Sequence, residues 1–535
     1  MMLSCSAAEA AAGRPTACAV RMCGRMGVGV GLLLMVLLAS SHAVTRSVER
    51  RGRGATIHVA TAGSDSTGDG SAARPFRTPA RAQTAGRATA AGGGAGYSVI
   101  IEAGSYYLNQ TLSLTAADSA SSWLAAGPVV LSAGQPLPHA GVTVDDPAVA
   151  AQLTPAAAAA VKVVDLRAAG ITDYGAFSSR GSPNADAHLE MHAPMIAPSG
   201  LELFWSTPGD DGAGVDVAGE SRAEYAGYPE SASGANLLFT SMGALVNGTP
   251  PTEPAFALEP AAAAASSKWL PQFRSASPDV WAHGFWEWRW ADAHYAVKNL
   301  THAGAANATM HMAGLTPKLP KLPCSELVCC GDCSIGPGIQ MGTGAGKFFL
   351  YNLLAELDAP NEAYLNRSDG RLFFIPPTPT ARGTISMLDH VVSIEGATGI
   401  TLSGLTLKHS RGIALNVRGS WNVAVRSGGV HATGSTAVNI SGGGGCIIDS
   451  LTVSGAGDSG VLLDGGDRNT LKPSGHILRN SSISATNYYV WSNAPNVFLG
   501  KETPFLRHVY VKCIILPRQA RDKHRETTQK RVALP

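Results

Sequence analysis

The sequence predicts an all-β protein built as a parallel β-helix, and three observations lead to that fold class. Glycines recur at a fixed interval, at Gly396, Gly419, Gly442 and Gly465, which defines a 23-residue period. The residues between them alternate apolar and polar in short strand-like runs. The chain of 535 residues holds 61 Gly and 32 Pro with only 15% charged residues, a composition that disfavours long helices and a helical bundle.

Aligning the chain at this 23-residue period places apolar residues in columns that would face one core. Each coil would supply three short strands, and every residue would lie about 4.8 Å from its counterpart in the next coil. The predicted inward columns are Val392, Leu415, Val438 and Val461; Ile394, Val417, Ile440 and Leu463; Ile400, Val423 and Cys446; Leu402, Val425 and Ile448; Leu407, Val430 and Val453.

Two details refine this repeat. Cys446 falls in an inward column, so we interpret it as a small buried apolar residue. In the fourth coil the segment 475–480 matches 445–450, a step longer than the regular period, so seven extra residues within 467–474 should loop out on one side.

Polar residues form two outward columns. Arg426, Asp449 and Arg479 alternate in charge, which is typical of an ion-pair ladder. The other column contains Glu395, Arg418, Ser441 and Asp464, of which Glu395 and Arg418 are candidate substrate-binding residues of a sugar-binding strip.

Three carboxylates lie close together in the last coil and are the candidate catalytic groups. They are Asp467, Asp464 and Asp458, which could hold a cation or act as acid and base. Carboxylates on adjacent coils would lie about 5 Å apart, as in a retaining glycosidase, and those two coils apart about 10 Å, closer to an inverting pair. Asp467 could equally pair with Arg468 to fix the loop.

The segment 281–295 is rich in aromatic residues. Four tryptophans, Phe285 and Tyr295 could form a sugar-stacking platform, with Trp288 as its substrate-binding candidate. The alternative is a single strand whose tryptophan face packs on the core. His283 and His294 lack metal-site spacing, and His409 and His431 are interpreted as structural.

The amino terminus predicts a secreted protein. Arg14, Arg21 and Arg25 precede an apolar run, and small residues end at Ala43, so residues 1–43 are interpreted as a cleavable signal peptide that leaves no stable membrane span. Seven glycosylation sequons agree with this localisation, at Asn109, Asn247, Asn299, Asn307, Asn366, Asn439 and Asn480. Four clustered cysteines predict two local disulfides in place of zinc, namely Cys324, Cys329, Cys330 and Cys333.

The formal charge of +2 conceals unlike parts. Residues 501–535 hold nine Lys and Arg against three Asp and Glu, whereas the region between the signal and this tail is mildly acidic. The overall balance excludes a globally basic nucleic-acid-binding protein. The tail shows none of the 23-residue columns, so we expect it to be disordered or foreign to the mature protein.

Several segments resemble glycoside hydrolase family 141. They are IHVATAGSDSTGDGSAARPFRTPARA (57–82), VIIEAGSYYLNQTLSLT (99–115), VVDLRAAGITDYGAFSSRG (163–181), LELFW (201–205), FFLYNLLAELDAPNEAYLNRSDGRLFFIPP (348–377), VSIEGATGITLSGLTLKHSRG (392–412) and LDGGDRNTLKPSGHILRNSSIS (463–484). The resemblance implies a right-handed single-stranded parallel β-helix of the pectate-lyase type, with a capping helix and an insertion domain. It also implies activity on cell-wall polysaccharide such as pectin or xylan. Family members continue for further coils that carry their proposed catalytic carboxylates, so the chain looks truncated.

We therefore expect an N-terminal cap and first coils in residues 44–135, an insertion domain in 136–380 and further coils in 381–500. The leading hypothesis is a carbohydrate-active protein that cleaves glycosidic bonds with an Asp/Glu pair. We expect this protein to be monomeric and to bind a polysaccharide or glycan. A non-catalytic carbohydrate-binding protein and a polysaccharide lyase are the alternatives. No cofactor or metal is expected, except that a lyase would hold a cation.

Overall fold

The computed structural model describes residues 54–92, 96–138, 140–177, 199–206, 220–229, 243–246, 255–275, 278–285, 292–304, 307–313, 345–467, 469–489, 496–499 and 512–515. This part of the chain is rich in strands, and its two largest parallel assemblies carry the repeat. The predicted signal peptide and the clustered cysteines lie outside the described residues. No helix within the described ranges is both long and apolar enough to cross a bilayer.

Two sheets of the described chain are wholly parallel. The first has 11 strands: Ala55–Val59, Tyr97–Ile101, Gly104–Tyr107, Ser122–Ser132, Thr401–Lys408, Ala424–Arg426, Gly429–Thr433, Ile447–Asp449, Thr452–Ala456, Ile477–Ile483 and Lys512–Ile515. The second has six: Leu112–Leu114, Val392–Glu395, Leu415–Arg418, Val438–Ser441, Val461–Asp464 and Val497–Leu499.

Residues that pair in these sheets are separated by the predicted 23-residue period. Val392 pairs with Leu415, Leu415 with Val438, and Val438 with Val461, each one period further along the chain. The third strands pair in the same way, with Leu407 beside Val430. All five predicted inward columns belong to one buried core, whose members are at most 6% exposed. The column assignments are therefore confirmed, including Cys446, which is a buried free thiol.

The irregular fourth coil also follows the prediction. Ile448 pairs with Leu478, so this step is longer than the regular period by the inserted loop. The extra residues form a small hairpin of Gly466–Asp467 with Lys472–Pro473. The loop therefore leaves the stack without disturbing the columns on either side of it.

The carboxy-terminal tail differs in part from the predicted disorder. Residues Lys512–Ile515 form a strand that pairs in parallel with strand Ile477–Ile483. An edge strand exposes unpaired backbone groups, and the short apolar run of this tail supplies them with partners. The remaining tail residues that were expected to be disordered, apart from 512–515, lie outside the described part of the chain.

A helix caps the first coils where the resemblance implied one. Pro79–Ala91 begins after Thr78, whose side chain accepts a hydrogen bond from the Arg81 backbone N–H, with Pro at the first helical position. Gly86 faces the ring of Tyr97, and a Cβ there would lie 2.4 Å from that ring. The helix thus packs closely on the first sheet.

Between strands 122–132 and 392–395 the described chain is mostly antiparallel. Its strands are Gly134–Pro136, Val142–Thr143, Lys162–Asp165, Gly175–Ala176, Ser199–Gly200, Leu203–Ser206, Ser221–Arg222, Glu224–Tyr225, Gly227–Tyr228, Gly243–Leu245, Ala255–Leu258, Val280–Phe285, Asp292–His302, Ala308–Met312, Ala345–Tyr351, Glu362–Asn366, Arg371–Phe374 and Arg382–Ser386. Its helical segments are Pro147–Ala150, Pro155–Ala160, Pro260–Ala265, Ser266–Trp269, Leu270–Phe273 and Leu354–Glu356, and a further short turn, Ala116–Asp118, precedes strand 122–132.

The inserted region, between strands 122–132 and 392–395, begins and ends at the stack of coils. Val392 pairs with Leu112, and Leu407 pairs with Leu131, so coils before and after the excursion are direct neighbours. Three separate buried clusters support the inserted region, distinct from the core of the coils. The insertion therefore has buried clusters of its own, and the chain leaves and re-enters the stack between neighbouring coils.

The described parts of the aromatic segment belong to a hairpin, whereas Trp286, Trp288 and Trp290, which carried the prediction of a single strand, lie outside the described residues. Val280–Phe285 and Asp292–His302 pair antiparallel, with His283 opposite His294. Their rings stack at 3.6 Å between centroids, and both are buried. Trp281 and Tyr295 are also buried, in agreement with packing on a core.

Candidate functional site

Lys408 and His431 occupy outward positions of the third strand in successive coils. Leu407 and Val430, which precede them, are core residues, and side chains alternate between faces along a strand. Lys408 and His431 pair in register, yet they are only 7% and 2% exposed. Another part of the chain therefore covers this outward face.

The covering elements are two short strands of the inserted region. Leu203–Ser206 pairs antiparallel with Ser221–Arg222 and also with Arg382–Ser386, the strand that leads back into the coils. The Glu202 backbone N–H donates to Ser386 Oγ at 2.8 Å. These contacts place the acidic and basic side chains of the two strands on the coils. We call the resulting group the charged cluster, defined by Glu202, Glu220, Arg222, Lys408, His409 and Arg411.

Glu220 is the most strongly paired carboxylate of this cluster. Its oxygens lie 3.1 Å from Lys408 Nζ and 3.1 Å from His409 Nε2. Burial opposes ionisation, but the hydrogen bond with His409 and the charges of His409 and Lys408 outweigh it and lower the pKa of Glu220 to about 2. The carboxylate therefore stays negative throughout the neutral range.

His409 links Glu220 to a coil that precedes the insertion. Its Nδ1 is 2.9 Å from Ser132 Oγ, while its Nε2 faces Glu220. Ser132 is 1% exposed and also accepts a hydrogen bond from the Gly134 N–H. The Ser–His–Glu sequence of contacts therefore holds the imidazole in place and does not present the serine as a nucleophile.

The pKa of Glu202 is shifted in the opposite direction from that of Glu220. Arg222 Nη1 lies 2.9 Å from its Oε2, but the contact lacks hydrogen-bond geometry, and neither oxygen has a hydrogen-bond partner among the described residues. Burial raises the pKa of Glu202 to about 7, against the opposing charges of Arg222 and Arg411. Burial thus favours the protonated form of this carboxyl at a pH where an exposed glutamate is ionised.

The coils approach Glu202 through a glycine. A Cβ at Gly434 would lie 2.5 Å from Glu202 Oε1. The same Cβ would lie 2.0 Å from the Arg411 carbonyl oxygen, so both the neighbouring coil and the position of Glu202 require glycine here.

Arg222 is held by backbone and aromatic groups of the coils. Its Nη2 donates to the carbonyls of Thr433 and Gly455, both at 2.8 Å. The guanidinium also lies over the rings of Tyr488 and Tyr489, at 4.6 and 5.0 Å from their centroids. These contacts fix the covering strand to three consecutive coils.

Arg411 fixes the opposite side of the cluster. Its Nε donates to the Ser386 carbonyl at 3.0 Å, and its Nη1 pairs with Asp173 Oδ2 at 2.6 Å. His431, which faces Ser454 Oγ at 2.7 Å, stays uncharged because burial and the nearby Lys408 charge lower its pKa to about 4. The cluster thus combines fixed cations with two unlike carboxyls, and the uncharged His431 lies beside it.

Two carboxyls with pKa values shifted apart form the arrangement that acid–base chemistry needs. One is available as a proton donor near neutral pH and the other remains an anion. Sequence reasoning missed both, because Glu202 and Glu220 reach the coils from a distant segment without repeat spacing. The 23-residue spacing of Lys408 and His431 was the available signal for this face.

The predicted catalytic aspartates lie elsewhere. Asp458 precedes strand Val461–Asp464 and is 1% exposed, whereas Asp464 ends that strand, so this strand separates them. Asp467 binds its own hairpin, accepting hydrogen bonds from Thr470 Oγ1 at 2.7 Å and from the Asn469 N–H at 2.8 Å. The Thr470 bonds lower the pKa of Asp467. The role that this geometry gives Asp467 is to stabilise the loop.

The outward columns have the predicted register. Glu395 pairs beside Arg418, and both are exposed. Asp449 receives two hydrogen bonds from Arg479, at 2.8 and 3.0 Å, so this step of the predicted ion-pair ladder is confirmed. Within the described ranges no group of three or more His, Cys, Asp or Glu side chains could hold a metal ion.

The sequons differ in accessibility. Asn109, Asn299, Asn307 and Asn480 are exposed, Asn366 is half-buried, and Asn247 lies outside the described residues. Asn439 is 4% exposed, and its amide donates to Asn416 Oδ1 at 2.9 Å. A glycan on this nitrogen would break that hydrogen bond and the packing around it, so the structure argues against modification of Asn439.

Comparisons with known proteins give a likeness in fold. The sequence matches no protein-family model and no curated protein. A solved structure of a glycoside hydrolase superposes with a TM-score of 0.54 at 11% identity, covering 82% of this chain and 74% of that one. A complex of XylC with xylose gives a TM-score of 0.38 at 11% identity, covering 83% and 56%. The chain thus shares the overall fold of a solved glycoside hydrolase.

Proposed function

We propose that the protein is a secreted carbohydrate-active enzyme of the glycoside hydrolase type, with Glu202 and Glu220 as its acid and anion. The observation that carries the proposal is the opposite shift of their pKa values, to about 7 and about 2, within one charged cluster. The sequence resemblance to glycoside hydrolase family 141 supports cell-wall polysaccharide as the substrate class.

The architecture proposed for this enzyme is a right-handed parallel β-helix with an inserted antiparallel domain. Its support is the 23-residue pairing register shared by the two parallel sheets. Successive coils then form a continuous outward face along which a polysaccharide can lie. The charged cluster is at the point where the inserted domain meets that face.

In the proposed reaction the protonated Glu202 carboxyl donates its proton to the glycosidic oxygen as the bond from that oxygen to the anomeric carbon breaks. The Glu220 carboxylate stabilises the positive charge that develops on the sugar. Water then adds its hydroxide to the anomeric carbon, and its proton returns to Glu202. A pKa of about 2 makes Glu220 a weak base but a permanent anion, which suits this electrostatic role.

Access is a requirement of this mechanism. The side chains of Glu202 and Glu220 are 2% and 11% exposed. The substrate therefore reaches them only through a local movement of the covering strands that keeps Glu220 against Lys408 and His409, since those contacts lower its pKa.

The same burial favours a second function, a non-catalytic carbohydrate-binding protein. In that case the charged cluster only fastens the inserted region to the coils. Its contacts to coil carbonyls through Arg222 are consistent with such a lock.

Incubation of the secreted protein with pectins and xylans tests the proposal. We expect new reducing ends, and a decrease of about 10²–10⁴-fold in their rate of release in Glu202→Gln. Asp467→Asn is the matched control and should retain activity. Polysaccharide binding without release of reducing ends by the wild type supports the non-catalytic function. Unsaturated products that absorb ultraviolet light indicate a lyase. Either result overturns the proposal of a hydrolase.

A further inference from the structure

Trp421 is an exposed aromatic residue on a turn of the coils, distant in the coil's path from the charged cluster. It follows strand Leu415–Arg418 and is 48% exposed, although tryptophan usually lies in a core. It bridges in parallel to Thr398 in the preceding coil and to Gly444 in the next. Its backbone neighbours in both adjoining coils are therefore small residues.

The backbone next to this ring consists of glycines. Residues 442–445 are a run of four glycines in the neighbouring coil. A Cβ at Gly444 would lie 2.6 Å from Trp421 Cζ3, so the ring packs directly on the backbone of that glycine. An indole that packs against backbone and is half exposed to solvent is a platform that loses little entropy on binding.

An acceptor without a partner lies next to this platform. Asp464 Oδ1 is a buried atom with no hydrogen-bond partner among the described residues, and the buried His476 lies against the backbone of Asp464 and Gly442. Gly465, which follows Asp464, lies against both Ser474 and His476, since a Cβ there would be 3.2 Å from Ser474 Cβ and 2.9 Å from His476 Nε2. Ser474 also adjoins the glycine backbone, because its carbonyl lies 2.8 Å from a Cβ placed at Gly444. The platform and the Asp464 carboxylate thus share one turn.

We propose that this turn is a second, non-catalytic glycan-binding site that takes a neutral pyranose unit of a polysaccharide. The apolar face of the sugar ring would stack on Trp421, and a ring hydroxyl would donate to the half-buried carboxylate of Asp464. An apolar ligand alone would leave that acceptor unsatisfied, and a uronate would place a second carboxylate beside Asp464.

This site goes beyond the proposed hydrolase. Along each coil the Trp421 turn joins the second parallel sheet to the first, whereas the charged cluster follows the third strand. The two sites can therefore bind one chain at two corners of the stack, which raises the effective concentration of substrate at the cluster.

Affinity electrophoresis in gels that contain soluble neutral polysaccharide, such as unsubstituted xylan or a β-glucan, tests the site independently of catalysis. The full chain with Glu202→Gln serves as background, so that hydrolysis does not alter the ligand. We expect a neutral polysaccharide to retard the protein. Its affinity should fall about tenfold with Trp421→Ala and recover in part with Trp421→Phe. Asp464→Asn should also reduce the affinity. Val142→Ala, which alters another exposed apolar residue, is the matched control and should retain full affinity.

The proposal is overturned if no neutral polysaccharide retards the protein, if Trp421→Ala migrates like its background, or if only polygalacturonate retards it. If only the proposed hydrolase activity is wrong, the wild type will release no reducing ends, while its retardation in the gel will still depend on Trp421.

Discussion

Lys408 Nζ lies 3.1 Å from a carboxylate oxygen of Glu220, and both side chains are largely buried. This contact joins the coils to a strand of the inserted region. In a buried pair each charge is stable only because of the other. The pair therefore gives a direct way to measure how firmly the insertion is fastened.

Glu220→Gln should destabilise the protein by about 3–5 kcal/mol, because Lys408 is left buried without its counter-charge. Chemical unfolding at neutral pH measures the loss. The double variant Glu220→Gln/Lys408→Met should recover a large part of it, since no unpaired charge remains. Equal stability of the single and double variants would show that the two groups are not coupled.

The pKa of Glu202 predicts a pH-dependent stability. Because folding raises this pKa from 4.5 to about 7, the folded state binds more protons, so its stabilising contribution is complete below pH 4.5 and is lost as pH rises through 7. The loss amounts to about 3 kcal/mol. Urea unfolding between pH 4 and 8 should show a decline that is larger in the wild type than in Glu202→Gln by about this amount, because Glu362, whose pKa burial also raises to about 7, contributes equally to both proteins. Parallel curves for the two proteins would contradict the assignment.

Glycopeptide mass spectrometry of the secreted protein tests the accessibility of the sequons. We expect glycans at exposed asparagines such as Asn109 and Asn299, and an unmodified Asn439, whose amide is bonded to Asn416. Substantial occupancy of Asn439 would mean that this face of the second parallel sheet is open.

The columns predict unequal costs for truncation. Leu415→Ala removes a side chain that is 0% exposed in the core and should cost about 2–5 kcal/mol. Arg418→Ala, on the outward face of the same strand, should change stability by less than about 0.5 kcal/mol. Thermal unfolding of both variants provides the comparison, and similar losses would disprove the inward–outward assignment.

The period of the sequence was sufficient to predict strand register. Val392, Leu415, Val438 and Val461 align because each coil repeats one environment, and the 23-residue spacing records it directly. Even the irregular coil, with Asp449 beside Arg479, could be placed from local similarity.

The charged cluster could not be predicted in the same way. Glu202 and Glu220 belong to irregular antiparallel segments, and their approach to Lys408 depends on tertiary folding of the insertion. His409 appeared isolated in the sequence because its partners, Ser132 and Glu220, are both remote along the chain. Side chains that do not repeat leave no periodic signal.

The most direct test of the proposed function is the rate of reducing-end release from cell-wall polysaccharide by the wild type, Glu220→Gln and Asp467→Asn, assayed at a temperature where unfolding curves show all three folded. We predict turnover by the wild type and Asp467→Asn, and loss of at least about 10²-fold in Glu220→Gln. Wild-type turnover that persists undiminished in folded Glu220→Gln would contradict the role assigned to the charged cluster.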